Sequence, residues 1–167
     1  MQGDDADASQ REQWLALIFE MLPVGVGVFD DQGALILSNR AMQHFIPSGV
    51  IPSCDPRRVG RWRAEDSDGR PVGADDFPGA RALRGESVSP GLEMLYAQDD
   101  GREAWTRVAA VPIRNNDGGI KGAITVATDI DADFSFRTAK QRIGFRRLSR
   151  RKSLRGARTT TWKFSRG

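Results

Sequence analysis

Val24-Gly-Val-Gly-Val-Phe29 is followed by Asp30-Asp-Gln-Gly33 and then by Leu35-Ile-Leu37. Apolar residues occupy every second position of the first run, and alternation at period two is the pattern of a half-buried strand. Asp and Gly accept the backbone conformations that close a tight turn, so the three pieces together predict an antiparallel hairpin. Gly25 and Gly27 fall on one face of its first strand and leave room there for another element to pack closely. A two-stranded hairpin is not stable alone, so more strands must join it.

Those strands are expected at Leu92–Ala97, Ala104–Ile113 and Ile120–Ile130, separated by the turn formers Gln98-Asp-Asp-Gly101 and Asn115-Asn-Asp-Gly-Gly119. Between the two groups, Asn39 is placed to cap a short helix through Phe45, closed by Pro47 and Gly49. Residues 47–75 read as irregular, with Trp62 and Asp66-Ser-Asp-Gly69 marking a small β excursion. Asp75 and Asp76 ahead of Pro78, with Gly85 beyond, predict a two-turn helix. Upstream, Trp14, Leu15, Ile18, Phe19 and Leu22 make one helical stripe, capped by Ser9 with Glu12 and ended by Pro23. The expected order is disordered residues 1–8, a flanking helix at 9–22, one domain at 23–131 and a basic, low-order tail at 132–167. The fold class is α+β, with one antiparallel sheet.

From Leu22 to Asp131 the chain resembles the PAS sensory domains. The resemblance rests on Leu22-Pro-Val-Gly-Val-Gly-Val-Phe-Asp30 with Gly33 and Asn39-Arg40, then on Asp76-Phe-Pro with Arg81-Ala-Leu-Arg-Gly-Glu86. It continues through Asp100-Gly101, Trp105, Pro112-Ile113, Asp117 to Gly119, and Gly122 to Asp129-Ile130. It implies a five-stranded antiparallel sheet with short helices on one face. It also implies a signal-sensing or dimerisation module attached to a histidine kinase, cyclase or transcription factor, with Asp129 and Ile130 at the point of signal output. Here Asp131 stands where Thr or Ser usually follows that pair, and no helical linker pattern comes after it.

With one His and one Cys in 167 residues, neither an internal disulfide nor a Cys/His zinc site can form. Flavin photosensors of the family carry their cysteine in an Asn-Cys-Arg-Phe-Leu-Gln run, whereas Cys54 sits in Ile51-Pro-Ser-Cys-Asp-Pro56. Haem-binding members use a His on the helix before the third strand, and residues 75–85 contain none. Covalent flavin and haem are therefore disfavoured, and no metal or catalytic residue is assigned. His44 reads as packed against the domain or solvated. The acidic pairs Asp30/Asp31, Asp75/Asp76 and Asp99/Asp100 read as turn and helix-start residues. The remaining candidates are for a small-molecule pocket between sheet and helices: Phe45, Phe77, Leu83, Val108, Ala110, Ile124 and Val126. The competing reading of the same residues is an ordinary filled core.

Charge divides the chain. Residues 1–133 hold 13 Lys+Arg and 22 Asp+Glu, a net of −9, whereas residues 134–167 hold 12 Lys+Arg and no acid. Three explanations of that tail stay open: binding to nucleic acid or an anionic membrane, a disordered segment without a dedicated partner, and a truncated or frame-shifted end. The longest apolar stretch, Trp14–Phe29, contains Glu20 and Pro23 and is too short to span a bilayer. No transmembrane segment is expected, and the location is read as cytoplasmic. The partners expected are a second copy through the flanking helix, an effector domain or kinase, and nucleic acid through the tail. The alternatives in function are a nucleic-acid-binding regulator and the N-terminal fragment of a sensor histidine kinase.

Overall fold

A computed structural model describes residues 2–131, with side chains from residue 7 onward. The expectations for residues 132–167 lie outside the described residues. The order is α1 (Gln2–Met21), β1 (Gly25–Asp30), β2 (Leu35–Ser38), α2 (Arg40–Phe45), β3 (Trp62–Arg63), α3 (Pro78–Leu83), β4 (Val88–Ala97), β5 (Glu103–Arg114) and β6 (Ile120–Asp129). Single 3₁₀ turns occur at Pro52–Cys54, Val59–Arg61 and Ala74–Asp76. Among the described residues no helix is long and apolar enough to cross a membrane.

The quoted stretch folds as the hairpin β1–β2. Its corner is held by Asp30, whose Oδ1 accepts the N–H groups of Gln32 at 3.0 Å and Ala34 at 2.8 Å. Gly33 takes φ +80° there, a value that favours glycine. Asp100 does the same at the β4–β5 corner by accepting the Arg102 N–H, and Asp117 at the β5–β6 corner by accepting the Gly119 N–H. These carboxylates are structural parts of turns.

All strand pairs are antiparallel, and the sheet order is β2-β1-β6-β5-β4-β3. The first and last long strands are neighbours, with Gly25 opposite Ala127 and Val28 opposite Ile124. The sheet therefore has the five expected strands plus β3, the two-residue excursion around Trp62, which lies on β4 opposite Tyr96 and Leu95. The Trp62 and Tyr96 rings stack at 4.4 Å. The short helices cover one face, and the core beneath them contains Phe29, Met42, Phe45, Ile51, Phe77 and Met94.

Two helix boundaries differ from the sequence-based expectation. The first helix starts at Gln2, so Ser9 lies inside it and residues 2–8 are helical. The cap of α3 is Phe77, without a side-chain bond, because Asp75 and Asp76 belong to the 3₁₀ turn before it. The apolar stripe of α1 is left largely exposed. Trp14 is 56% exposed and Ile18 57%, and only Phe19 is half-buried.

Candidate functional site

α2 lies close to the sheet because β1 offers it no side chain at Gly25 and Gly27. A Cβ added at Gly25 would stand 3.0 Å from the Met42 Cα, and one at Gly27 would stand 3.1 Å from the Met42 Cγ. The two glycines thus form the seat of α2, as their common face predicts. Asn39 starts α2 by accepting the Met42 N–H at 3.0 Å. Met42 and Phe45, the two buried residues of α2, then point into the core.

Beneath α2 lies a cavity of about 30 Å³. Met42 and Phe45 form one wall and Phe77, Pro78 and Gly79 another. Met94, Val108, Thr125 and Ala127 form the sheet side, and Ile51, Pro52 and Ser53 the rim. No charged side chain lines it. Ser53 places a buried hydroxyl here that has no hydrogen-bond partner among the described residues. In this state the space is far below the 300–1,000 Å³ of a drug-sized pocket. Its walls include Met42 and Met94, whose unbranched side chains reshape at low cost.

The residues singled out from sequence are distributed over three places. Phe45, Phe77 and Val108 line the cavity. Ala110 packs under α3 with Ala82 and Ala123, and Leu83 joins that cluster to the main core. Neither Ala110 nor Leu83 lines the cavity. Ile124 and Val126 are on the opposite face of the sheet, opposite Val28 and Val26 of β1, and this corrects their proposed placement. The β6 residues that face the helices are Ala123, Thr125 and Ala127. Small side chains are required there because α3 approaches closely, so the larger β-branched residues occupy the outer face. Neither Met42 nor Thr125 is among the residues singled out from sequence, and the alternation with Leu95 leaves open which way Met94 points; the structure turns Met94 into the cavity wall. The alternation Gly25, Gly27, Phe29 carried the signal for Thr125, because the strand paired with β1 must show the helices the residues opposite those three.

Several groups brace the site. The Tyr96 hydroxyl lies 3.3 Å from the His44 carbonyl and donates to it, and the exposed His44 ring meets Phe45 edge-on. Thr106, fully buried, donates its hydroxyl to the Met94 carbonyl at 3.0 Å. Arg58 and Arg61 both bind Asp99, at 2.9 and 3.1 Å, and so tie the segment after the rim to the β4–β5 corner. The bond to Asp99 raises the pKa of the Arg58 guanidinium, against the opposing effect of its partial burial. Cys54 is exposed at the end of the rim turn.

At the end of β6, Asp129 accepts the Asp131 N–H at 2.9 Å, and the Ile130 N–H donates to the Trp105 carbonyl at 2.8 Å. Ile130 is buried, and Asp131 in turn accepts the Trp105 N–H at 3.1 Å. The last strand is thereby fastened to the start of β5.

No protein-family model and no curated protein matches the chain. Solved structures do. The PAS domain of an HTR-like protein from Haloarcula marismortui is 19% identical, with a TM-score of 0.49 over 78% of this chain and 100% of that one. The PAS domain of a protein from Colwellia psychrerythraea is 19% identical, with a TM-score of 0.45 over 72% and 97%. An RNA-binding light-oxygen-voltage receptor is 14% identical, with a TM-score of 0.51 over 86% of this chain and 39% of that one. At these identities the likeness concerns architecture, and the chain has a PAS-like α+β fold.

Proposed function

We propose that this PAS-like chain is a sensory and regulatory module of a signal-transduction protein, without catalysis of its own. It responds to a small neutral molecule in the cavity under α2 and pairs with a second copy through α1. The observation that carries the reading is the cavity wall. It is apolar and uncharged, carries one unpartnered hydroxyl at Ser53, and is bounded by two methionines that can yield. A buried hydroxyl that nothing meets costs roughly 1–3 kcal/mol, so a molecule that bonds Ser53 Oγ while filling the apolar space would gain by it. The fold supports this reading through its resemblance to sensory domains, and the exposed stripe of α1 supports pairing.

Native mass spectrometry of the full chain, purified without detergent, tests the sensing role. The expected result is a bound neutral species of low mass that Phe77→Trp, by filling the cavity, removes. A chain that carries nothing, and whose melting temperature no neutral aromatic probe such as indole raises, refutes it.

The charge division motivates a second reading, in which residues 134–167 bind a polyanion such as nucleic acid. A salt series against duplex DNA tests that reading.

A further inference from the structure

Asn39 is fully buried, and its side-chain amide joins three stretches of backbone. Oδ1 accepts the N–H groups of Val26 at 2.9 Å and Met42 at 3.0 Å. Nδ2 donates to the carbonyls of Phe19 at 3.0 Å and Val24 at 2.9 Å. Both lone pairs and both protons of the amide are thus in use. Phe19 belongs to the last turn of α1, where helix carbonyls have no partner within the helix. One residue therefore caps the start of α2 and the end of α1 together. Beside it, the Glu20 carboxylate accepts the Arg40 N–H at 3.0 Å, a second tie between α1 and the start of α2.

These bonds are at one end of a long rod. A helix of 20 residues spans about 30 Å. The described side chains ahead of Phe19 are exposed, so the rod is held at its C-terminal turn. A rotation of roughly 5° at that turn would carry the far tip about 2.5 Å, by simple leverage over that length. The helix that receives the bonds, α2, supplies Met42 and Phe45 to the cavity wall. It has no slack toward the sheet, because its backbone already rests against Gly25. A change in the contents of the cavity that presses on Met42 and Phe45 therefore displaces α2 away from the sheet, and the bonds at its capped end join that displacement to α1.

We propose that Asn39 is a positioning residue that couples the cavity to the direction of α1, with Glu20 as its auxiliary. Filling or enlarging the cavity shifts α2, and the shared amide passes that shift to the last turn of α1. This inference rests on the sensory reading of the cavity and does not require α1 to be a dimer contact.

Asn39→Asp isolates the coupling. The carboxylate keeps both accepting bonds, including the cap of α2, and loses both donations, including the one to Phe19. Phe77→Leu supplies the cavity change from the wall opposite α2. Hydrogen exchange is followed by mass spectrometry in the full chain, at a dilution where sedimentation shows a monomer. In the unmodified background, Phe77→Leu is expected to speed exchange several-fold in α2 and in the last turn of α1. In the Asn39→Asp background it should speed α2 alone, with α1 already fast and unresponsive. An α1 that responds equally in both backgrounds overturns the proposal. So does an α1, or an α2, that ignores Phe77→Leu in the unmodified background. If Asn39→Asp does not fold, Glu20→Ala, at an exposed position, replaces it. The expectation is then a weakened α1 response with α2 unchanged, and an undiminished response overturns the coupling. Absence of any bound small molecule would sink the sensory reading and leave this exchange result intact, so the two failures are distinguishable.

Discussion

At the scale of single residues, two glycines separate chain entropy from close packing. Replacing glycine by alanine where the backbone allows it stabilises by roughly 0.4–1 kcal/mol, because the unfolded chain loses freedom. Gly60 has no atom within 4 Å of an added Cβ and no positive φ, so Gly60→Ala should show that gain. At Gly25 the same Cβ meets the Met42 Cα and the Phe45 ring, both at 3.0 Å. Overpacking of this kind costs about 1–3 kcal/mol and outweighs the entropic gain. Gly25→Ala should therefore lower the urea midpoint while Gly60→Ala raises it; equal shifts would mean that α2 is not seated on β1 as described. Gly25 was legible beforehand, since a glycine-lined strand face has few other uses. Asn39 was legible as a cap for α2, a role set by local sequence. Its bonds to Phe19 and Val24 depend on where α1 ends in space, and nothing local encodes that.

At the scale of elements, the period-two runs and their Asp-Gly corners were enough to place four of the five long strands to within a residue or so. The exception, β4, begins at Val88, four residues earlier than expected. Alternation shows that a strand has two faces and leaves open which one is inside. β6 illustrates the consequence. Ile124 and Val126 have the size and shape of core residues, yet Ala123, Thr125 and Ala127 face the helices, because the neighbouring α3 leaves space for small side chains alone. The helix α1 poses the converse problem. Its stripe has the periodicity of a packed helix, yet Trp14, Leu15, Leu17, Ile18 and Met21 are more than half exposed within one chain. In the proposed function this contiguous apolar surface is where a second copy pairs, since twofold symmetry would bring it against itself. Ile18→Glu should convert the full chain from dimer to monomer in sedimentation equilibrium, with the urea midpoint of the monomer unchanged because residue 18 touches no core. A native chain that is monomeric at every concentration measured would remove pairing through α1 from the functional reading.

At the scale of the whole molecule, the division of charge is the one property that the fold does not explain. Residues 1–133 carry −9, and their arginines are largely matched locally, as in Arg58 and Arg61 with Asp99, Arg107 with Glu93, and Arg63 with Glu103. Residues 134–167 carry twelve cations and no acid to match them. Cations that bind a polyanion gain because each phosphate they neutralise releases condensed counterions to solution. The dependence of log affinity on log salt counts those phosphates at about −0.9 each, so twelve cations bound the slope for duplex DNA at about −11. The expected outcome is sequence-independent binding with a slope several units below zero, and replacing six of the tail arginines by serine should roughly halve it. A slope near zero would mean that no phosphate is contacted and would end the polyanion reading. A steep slope accompanied by strong preference for one DNA sequence would instead demand base contacts, which charge alone cannot provide. That outcome would shift the functional weight of the molecule from the cavity to its C-terminal segment.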